Sequence, residues 1–354
     1  MAAGRDVLYV GTYTHGTSVG VHIYDMDPEV GALTERKVIP INNASYLTVS
    51  RSGKYLYSIA DEGVEAYRIL PDGDLEYINQ AGIRGMRGCY LSTDSKDRFL
   101  YVAGYHDGKV TVMSLNKDGS IGHICDGIFH KGIGSVADRN FRPHVNCVIP
   151  TPDEKYLCAV DLGLDHVKIY SVDPHTGKLR LVDILRCELE CGPRHMLFSK
   201  DGRFAYLICE IKNYISVYAY DGSGKNPKFE WIENVRTISD QSAKSNSAAS
   251  GMKLSKDGQY LYCSNAGENS MGIFRVNQQD GTLEKVCILP VSGDYPKDID
   301  VFSGNQFVLA LNHESNSITT FHVNYEKGTI AMNRAPLYVE TPNCALVLHL
   351  DETD

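Results

Sequence analysis

An all-β fold is predicted for this 354-residue chain: a seven-bladed β-propeller, its ring closed by a C-terminal strand joining the N-terminal blade. Three observations predict it. One phrase, a short apolar strand built on an anchor, a tight loop and an alternating strand, returns at Tyr9, Tyr57, Tyr101, Cys158, Tyr206, Tyr262 and Val308, at intervals of 44 to 57 residues. Each copy ends in a turn signal such as LPDGDL, NKDGSI or DPHTGKL. Six anchors are preceded by a further short strand, whereas Tyr9 is not, and NCALVLHL at 343–350 supplies the missing one. A repeat of this length cannot bury its own face and must stack on its neighbours.

The elements follow in order. Anchor strands such as GKYLYSIA, DRFLYVAG and GRFAYLIC are nearly continuous apolar runs, as expected of strands covered on both faces. The strands before them, SYLTVS, CYLSTD, NCVIPT, RHMLFS, SGMKLS and DIDVFS, are the predicted innermost strands. Four strands per copy and seven copies make one domain over residues 1–354. Pairing the two chain ends in one blade removes the open edge that an unclosed ring would leave.

Composition narrows the function. A formal charge of −9, a pI near 5.7 and the lack of a Lys/Arg run disfavour binding to a phosphate backbone, so no nucleic-acid partner is expected. No window approaches the roughly 18 apolar residues of a membrane span, and MAAGRDVLYVGTYT enters a strand without a leader pattern. The expectation is a cytoplasmic protein acting on a small molecule, with oligomeric state left open. The ten cysteines, mostly inside strands, read as reduced thiols without disulfides.

In this fold, inner-strand starts and anchor-strand ends open onto one face. Four residues past each anchor stand Tyr13, Asp61, Tyr105, Leu162, Glu210, Ala266 and Asn312. The matching inner-strand starts are Ser45, Cys89, Asn146, Arg194, Ser250 and Lys297, with His144 and His195 beside two of them. Glu210, Arg194, His195 and His144 form the candidate catalytic set. A carboxylate or imidazole can activate water, and a guanidinium can stabilise an oxyanion. Asn146, Lys297, Asp61, Tyr105, Asn265 and His313 are the candidate substrate-binding residues. Lys297, His313, Arg142 and Lys212 could neutralise an acidic substituent.

At these positions the chain resembles the bacterial lactonase family of seven-bladed propellers, the 6-phosphogluconolactonase type, which is similar to the fungal carboxymuconate-lactonizing enzymes. The resemblance runs nearly end to end. It is carried by VGTYT at 10–14, NASYLTVSRSGKYLYS at 43–58, RPHVNCV at 142–148, VDLGLDHVKIY at 160–170, GPRHMLFSKDGRFAYLICE at 192–210 and NSAASGMKLSKDGQYLYCSN at 246–265. It implies metal-free hydrolysis of a sugar lactone around Arg194 and Glu210. Where the family carries a second Arg and a His, this chain has Ala266 and Asn146, and Pro296-Lys297 stands for the family's Pro-Arg.

Cys187, Cys191 and His195 form C-x3-C-x3-H, a spacing that does not match structural zinc sites, so neither metal nor cofactor is expected. No P-loop and no G-x-G-x-x-G is found in the sequence. Residues 237–250 and 130–144 are long insertions expected over the functional face, the first a loop that could act as a flap. The leading function is hydrolysis of a sugar-derived lactone, with 6-phosphogluconolactone a candidate, by a carboxylic ester hydrolase. The alternatives are a non-catalytic propeller binding an acidic metabolite or protein partner, and a lyase or cycloisomerase on an acid substrate.

Overall fold

The computed structural model describes residues 4–135, 139–240 and 247–350. The described residues form the seven four-stranded antiparallel sheets of a seven-bladed β-propeller, one of them extended by the short strand Leu337–Tyr338. They are blades one to seven here. Their anchor strands are Arg5–Thr12, Tyr55–Ala60, Phe99–Gly104, Tyr156–Asp161, Phe204–Cys209, Tyr260–Ala266 and Phe307–Asn312. Four of these are buried along their whole length, which is why they read as unbroken apolar runs.

The C-terminal strand Pro342–Leu350 pairs with Arg5–Thr12 from Arg5↔Leu350 to Thr12↔Pro342, so blade one is built from both chain ends, as predicted. The chain divides into two compact units. The first holds Met1–Ser45, Pro71–Asp74 and Val235–Asp354, and the second Tyr46–Leu70 and Leu75–Asn234. Blades one, six and seven belong to the first unit, and blades two to five lie in the second apart from the Pro71–Asp74 turn and the strand end Val235–Arg236.

Within each unit the anchor tyrosines explain the period. Tyr9 is fully buried and its hydroxyl donates to Gly73 O at 2.8 Å. Tyr57, equally buried, donates to Gly119 O at 3.1 Å. Both acceptors lie in the Asp-Gly turn of the following copy. The ring fills the blade core while the hydroxyl finds the partner that burial demands.

Inner strands share a second device. Pairing in blade four passes from Val145↔Asp161 to Cys147↔Val160, and in blade five from Pro193↔Cys209 to His195↔Ile208, leaving Asn146 and Arg194 bulged. Blade seven bulges likewise at Lys297, and blade one at Asn343. A bulge leaves one residue out of the ladder and re-aims its side chain.

Candidate active site

The motif GPRH is built by backbone constraints. Gly192 has φ +61°, and a Cβ there would run into Ile211, so glycine is required. Its N–H donates to Asp165 Oδ1 at 2.9 Å, and its carbonyl accepts from Glu210 N at 2.7 Å. Pro193 then opens the inner strand, and Arg194 occupies the bulge. The turn therefore fixes both the arginine and the first residue past the facing strand.

Arg194 Nη1 bonds Glu210 Oε2, and Arg139 Nη1 bonds Glu210 Oε1. Glu210 is 5% exposed, so a buried carboxylate carries one guanidinium on each oxygen. Tyr105 lies beside this cluster. Burial first, and then the Glu210 charge, push its phenol up, while Arg139 and Arg194 pull it down.

His144 stacks on Tyr105 with ring centroids 4.3 Å apart and is 3% exposed. Its Nδ1 lies 2.7 Å from Tyr105 O. A carbonyl oxygen can only accept, so Nδ1 carries a proton, and in the neutral form of the ring Nε2 is the acceptor. The backbone of His144 is held by Asp161, whose Oδ1 accepts from His144 N at 2.9 Å. Asp161 Oδ2 faces His130 Nδ1 at 2.7 Å, so one buried carboxylate ties both ends of the 130–144 insertion.

Asn146 is 5% exposed, and its Nδ2 has no hydrogen-bond partner among the described residues. Arg194 and Cys89 are electrostatic neighbours. His195 packs on Tyr90 and Tyr46 at 5.2 and 6.2 Å, while Asp61 pairs with Arg87 at 3.2 Å. All of these lie in the second unit.

Asn265, Lys297 and His313 belong to the first unit. Asn265 is fully buried and donates through Nδ2 to Thr237 O and Ser270 Oγ, so that nitrogen is engaged inside blade six. Lys297 Nζ sits 5.3 Å from the centroid of the Tyr295 ring. His313 Nδ1 meets Pro342 O at 3.2 Å, and burial pushes its ring down.

Two polar residues escaped the sequence reading. Arg139 reaches Glu210 from 71 positions away, a contact no spacing announces. Asn343 was legible, because the Asn-Cys pair at 146–147 recurs at 343–344 and both asparagines are bulged. Asn343 Nδ2 donates to Ser45 O at 2.6 Å.

Thiol hydrogen bonding among Cys187, Cys191 and Cys209 pulls Cys191 down from its ordinary value, while Cys187 and Cys209 are pushed up. No group of three or more His, Cys, Asp or Glu among the described residues is arranged to hold a metal. Residues 241–246 of the expected flap, and 136–138 of the other insertion, lie outside the described residues. No helix among the described residues is long and apolar enough to cross a membrane.

Comparison with known proteins places the chain in a family. The profile of the family described as Lactonase, 7-bladed beta-propeller, matches residues 7–347. The 6-phosphogluconolactonase of Bacillus subtilis is 32% identical over 96% of this chain and 98% of its own. The crystal structure of a putative 6-phosphogluconolactonase from Bacteroides fragilis superposes with a TM-score of 0.88 at 29% identity, covering 97% of this chain and 98% of that one. The periplasmic gluconolactonase of Pseudomonas aeruginosa superposes with a TM-score of 0.90 at 28% identity, covering 98% and 99%. The chain therefore belongs to the lactonase family of seven-bladed β-propellers, carboxylic ester hydrolases that open a cyclic ester.

Proposed function

We propose that this chain hydrolyses a sugar-derived lactone, with 6-phosphogluconolactone the first substrate to test. The observation that carries the reading is the cluster around Tyr105, where a buried carboxylate holds two guanidinium groups beside a histidine whose Nε2 is left as an acceptor. The names of relatives such as those of Bacillus subtilis and Formosa agariphila support the lactone, and the latter is 28% identical over 91% of this chain.

In this reading His144 Nε2 takes a proton from water as the water oxygen bonds the lactone carbonyl carbon. The carbonyl π pair moves onto oxygen, where the Arg194 guanidinium stabilises the developing charge. Collapse re-forms the carbonyl and breaks the ring C–O bond. The proton on His144 passes to the departing alkoxide, giving the open-chain hydroxy acid. Glu210 holds Arg194 in place, and Asn146 Nδ2, a buried donor lacking a partner among the described residues, is suited to a substrate oxygen.

Ten free cysteines fit a reducing cytoplasm better than an oxidising compartment. Proton release on 6-phosphogluconolactone and on unphosphorylated aldonolactones tests the proposal. His144→Asn is expected to lower kcat at least about 100-fold, and Arg194→Ala about 100- to 1,000-fold. Near-normal turnover in both variants would remove the assigned roles.

A further inference from the structure

We infer that Arg139 is an anion-sensing, specificity-determining residue: a phosphate or carboxylate substituent on the substrate draws its guanidinium off Glu210, favouring acidic over neutral lactones. This rests on the lactonase reading of the same site.

The two arginines on Glu210 are not equivalent. The Arg194 side chain is 19% exposed and sits on a strand, in the bulge that GPRH creates. The Arg139 side chain is 49% exposed and sits on the 130–144 insertion. Solvent screens the half-exposed Arg139 more than Arg194, so Arg139 is the more readily exchanged of the two partners. Arg194 is suited to remain in place while Arg139 changes partner.

The backbone that follows Arg139 is anchored. Asn140 is fully buried, donates to Leu162 O at 2.6 Å and accepts from Ser135 N at 3.2 Å. His130 and His144, at the two ends of the insertion, are both held by Asp161. Gly163 packs so closely on Arg142 O that a Cβ would overlap it. The guanidinium can therefore swing from a fixed base.

Charge favours the exchange. Glu210 divides one negative charge between the Arg139 and Arg194 guanidinium groups, one on each oxygen. A phosphate presents three acceptor oxygens to the planar fork of arginine, a better match than one oxygen of a carboxylate whose other oxygen holds a second arginine.

The test compares kcat/KM for 6-phosphogluconolactone and gluconolactone in the natural protein, Arg139→Gln and Arg139→Lys, with melting temperatures as a folding control. Arg139→Gln is expected to cut the ratio of acidic to neutral substrate roughly 30-fold, the scale of one charge-assisted hydrogen bond, and Arg139→Lys to retain part of it. An unchanged ratio, whether through equal losses on both substrates or through no loss on either, overturns the inference. Calorimetric binding of 6-phosphogluconate against gluconate separates this outcome from failure of the lactonase reading. If neither lactone is turned over, a binding preference for the phosphorylated acid that vanishes in Arg139→Gln still supports the sensor, and no such preference in the natural protein overturns it.

Discussion

His130 shows how a single side chain can tie the site to pH. Burial pushes its ring down from the ordinary 6.5, against the pull of Asp161, while Nδ1 faces that carboxylate and Nε2 lies 3.0 Å from the Tyr170 hydroxyl. The folded protein thus resists a proton that the unfolded chain accepts, so stability is full above about 6.5 and is lost as pH falls below it. One such group contributes a slope of at most about 1.4 kcal/mol per pH unit. His130→Asn keeps a donor toward Asp161 but cannot take a second proton. It should melt lower than the natural protein at pH 7.5 and show a shallower decline from pH 6.5 to 5. Parallel melting curves would show that His130 does not carry this dependence. Glu210 and Arg194 stand out in the sequence because they fall at fixed offsets from the repeat, and His144 because it flanks one such position. Arg139 and the role of Asp161 do not, because insertions follow no period, and their contacts are set by where a loop happens to fold.

At the level of elements, the repeat was readable because each anchor must fill a core and each turn must reverse the chain. The bulges were not, since a bulge is a shift in hydrogen-bond register that leaves no mark on apolar alternation. Blade two offers an internal comparison. The Tyr57 hydroxyl reaches Gly119 O in a buried setting, whereas the Tyr55 hydroxyl reaches Lys117 O at 3.3 Å in an exposed one. Tyr57→Phe leaves a buried carbonyl without its donor and should cost about 1–2 kcal/mol. Tyr55→Phe lets water replace the lost bond and should stay within about 0.5 kcal/mol. Urea unfolding of both variants measures the difference, and equal costs would mean that the hydroxyl is not what joins an anchor to the next turn.

Across the molecule, the pairing of the two chain ends is the feature on which the fold most visibly depends, and a charged cluster secures it in the first unit. Lys253 Nζ donates to Ala345 O at 2.8 Å and lies 3.8 and 3.6 Å from the carboxylates of Asp298 and Asp300. Those carboxylates accept from Ala345 N at 2.9 Å and Val347 N at 3.0 Å, so all three side chains grip the closing strand. Truncation after Thr341 removes the whole partner of Arg5–Thr12 and should sharply lower the melting temperature. A narrower test isolates the cluster. Burial pushes both aspartates up, and Lys253 is the charge that opposes this. Lys253→Met leaves the carboxylates without their cation, a loss on the order of 3–5 kcal/mol for a buried pair. An acid whose folded pKa is raised loses stability as pH climbs above its unfolded value of 3.8, because the unfolded chain can ionise where the folded one resists. The variant should therefore be more impaired at pH 8 than at pH 5, relative to the natural protein at each pH. A cost independent of pH would assign Lys253 to packing alone and leave backbone pairing as what holds the two chain ends together.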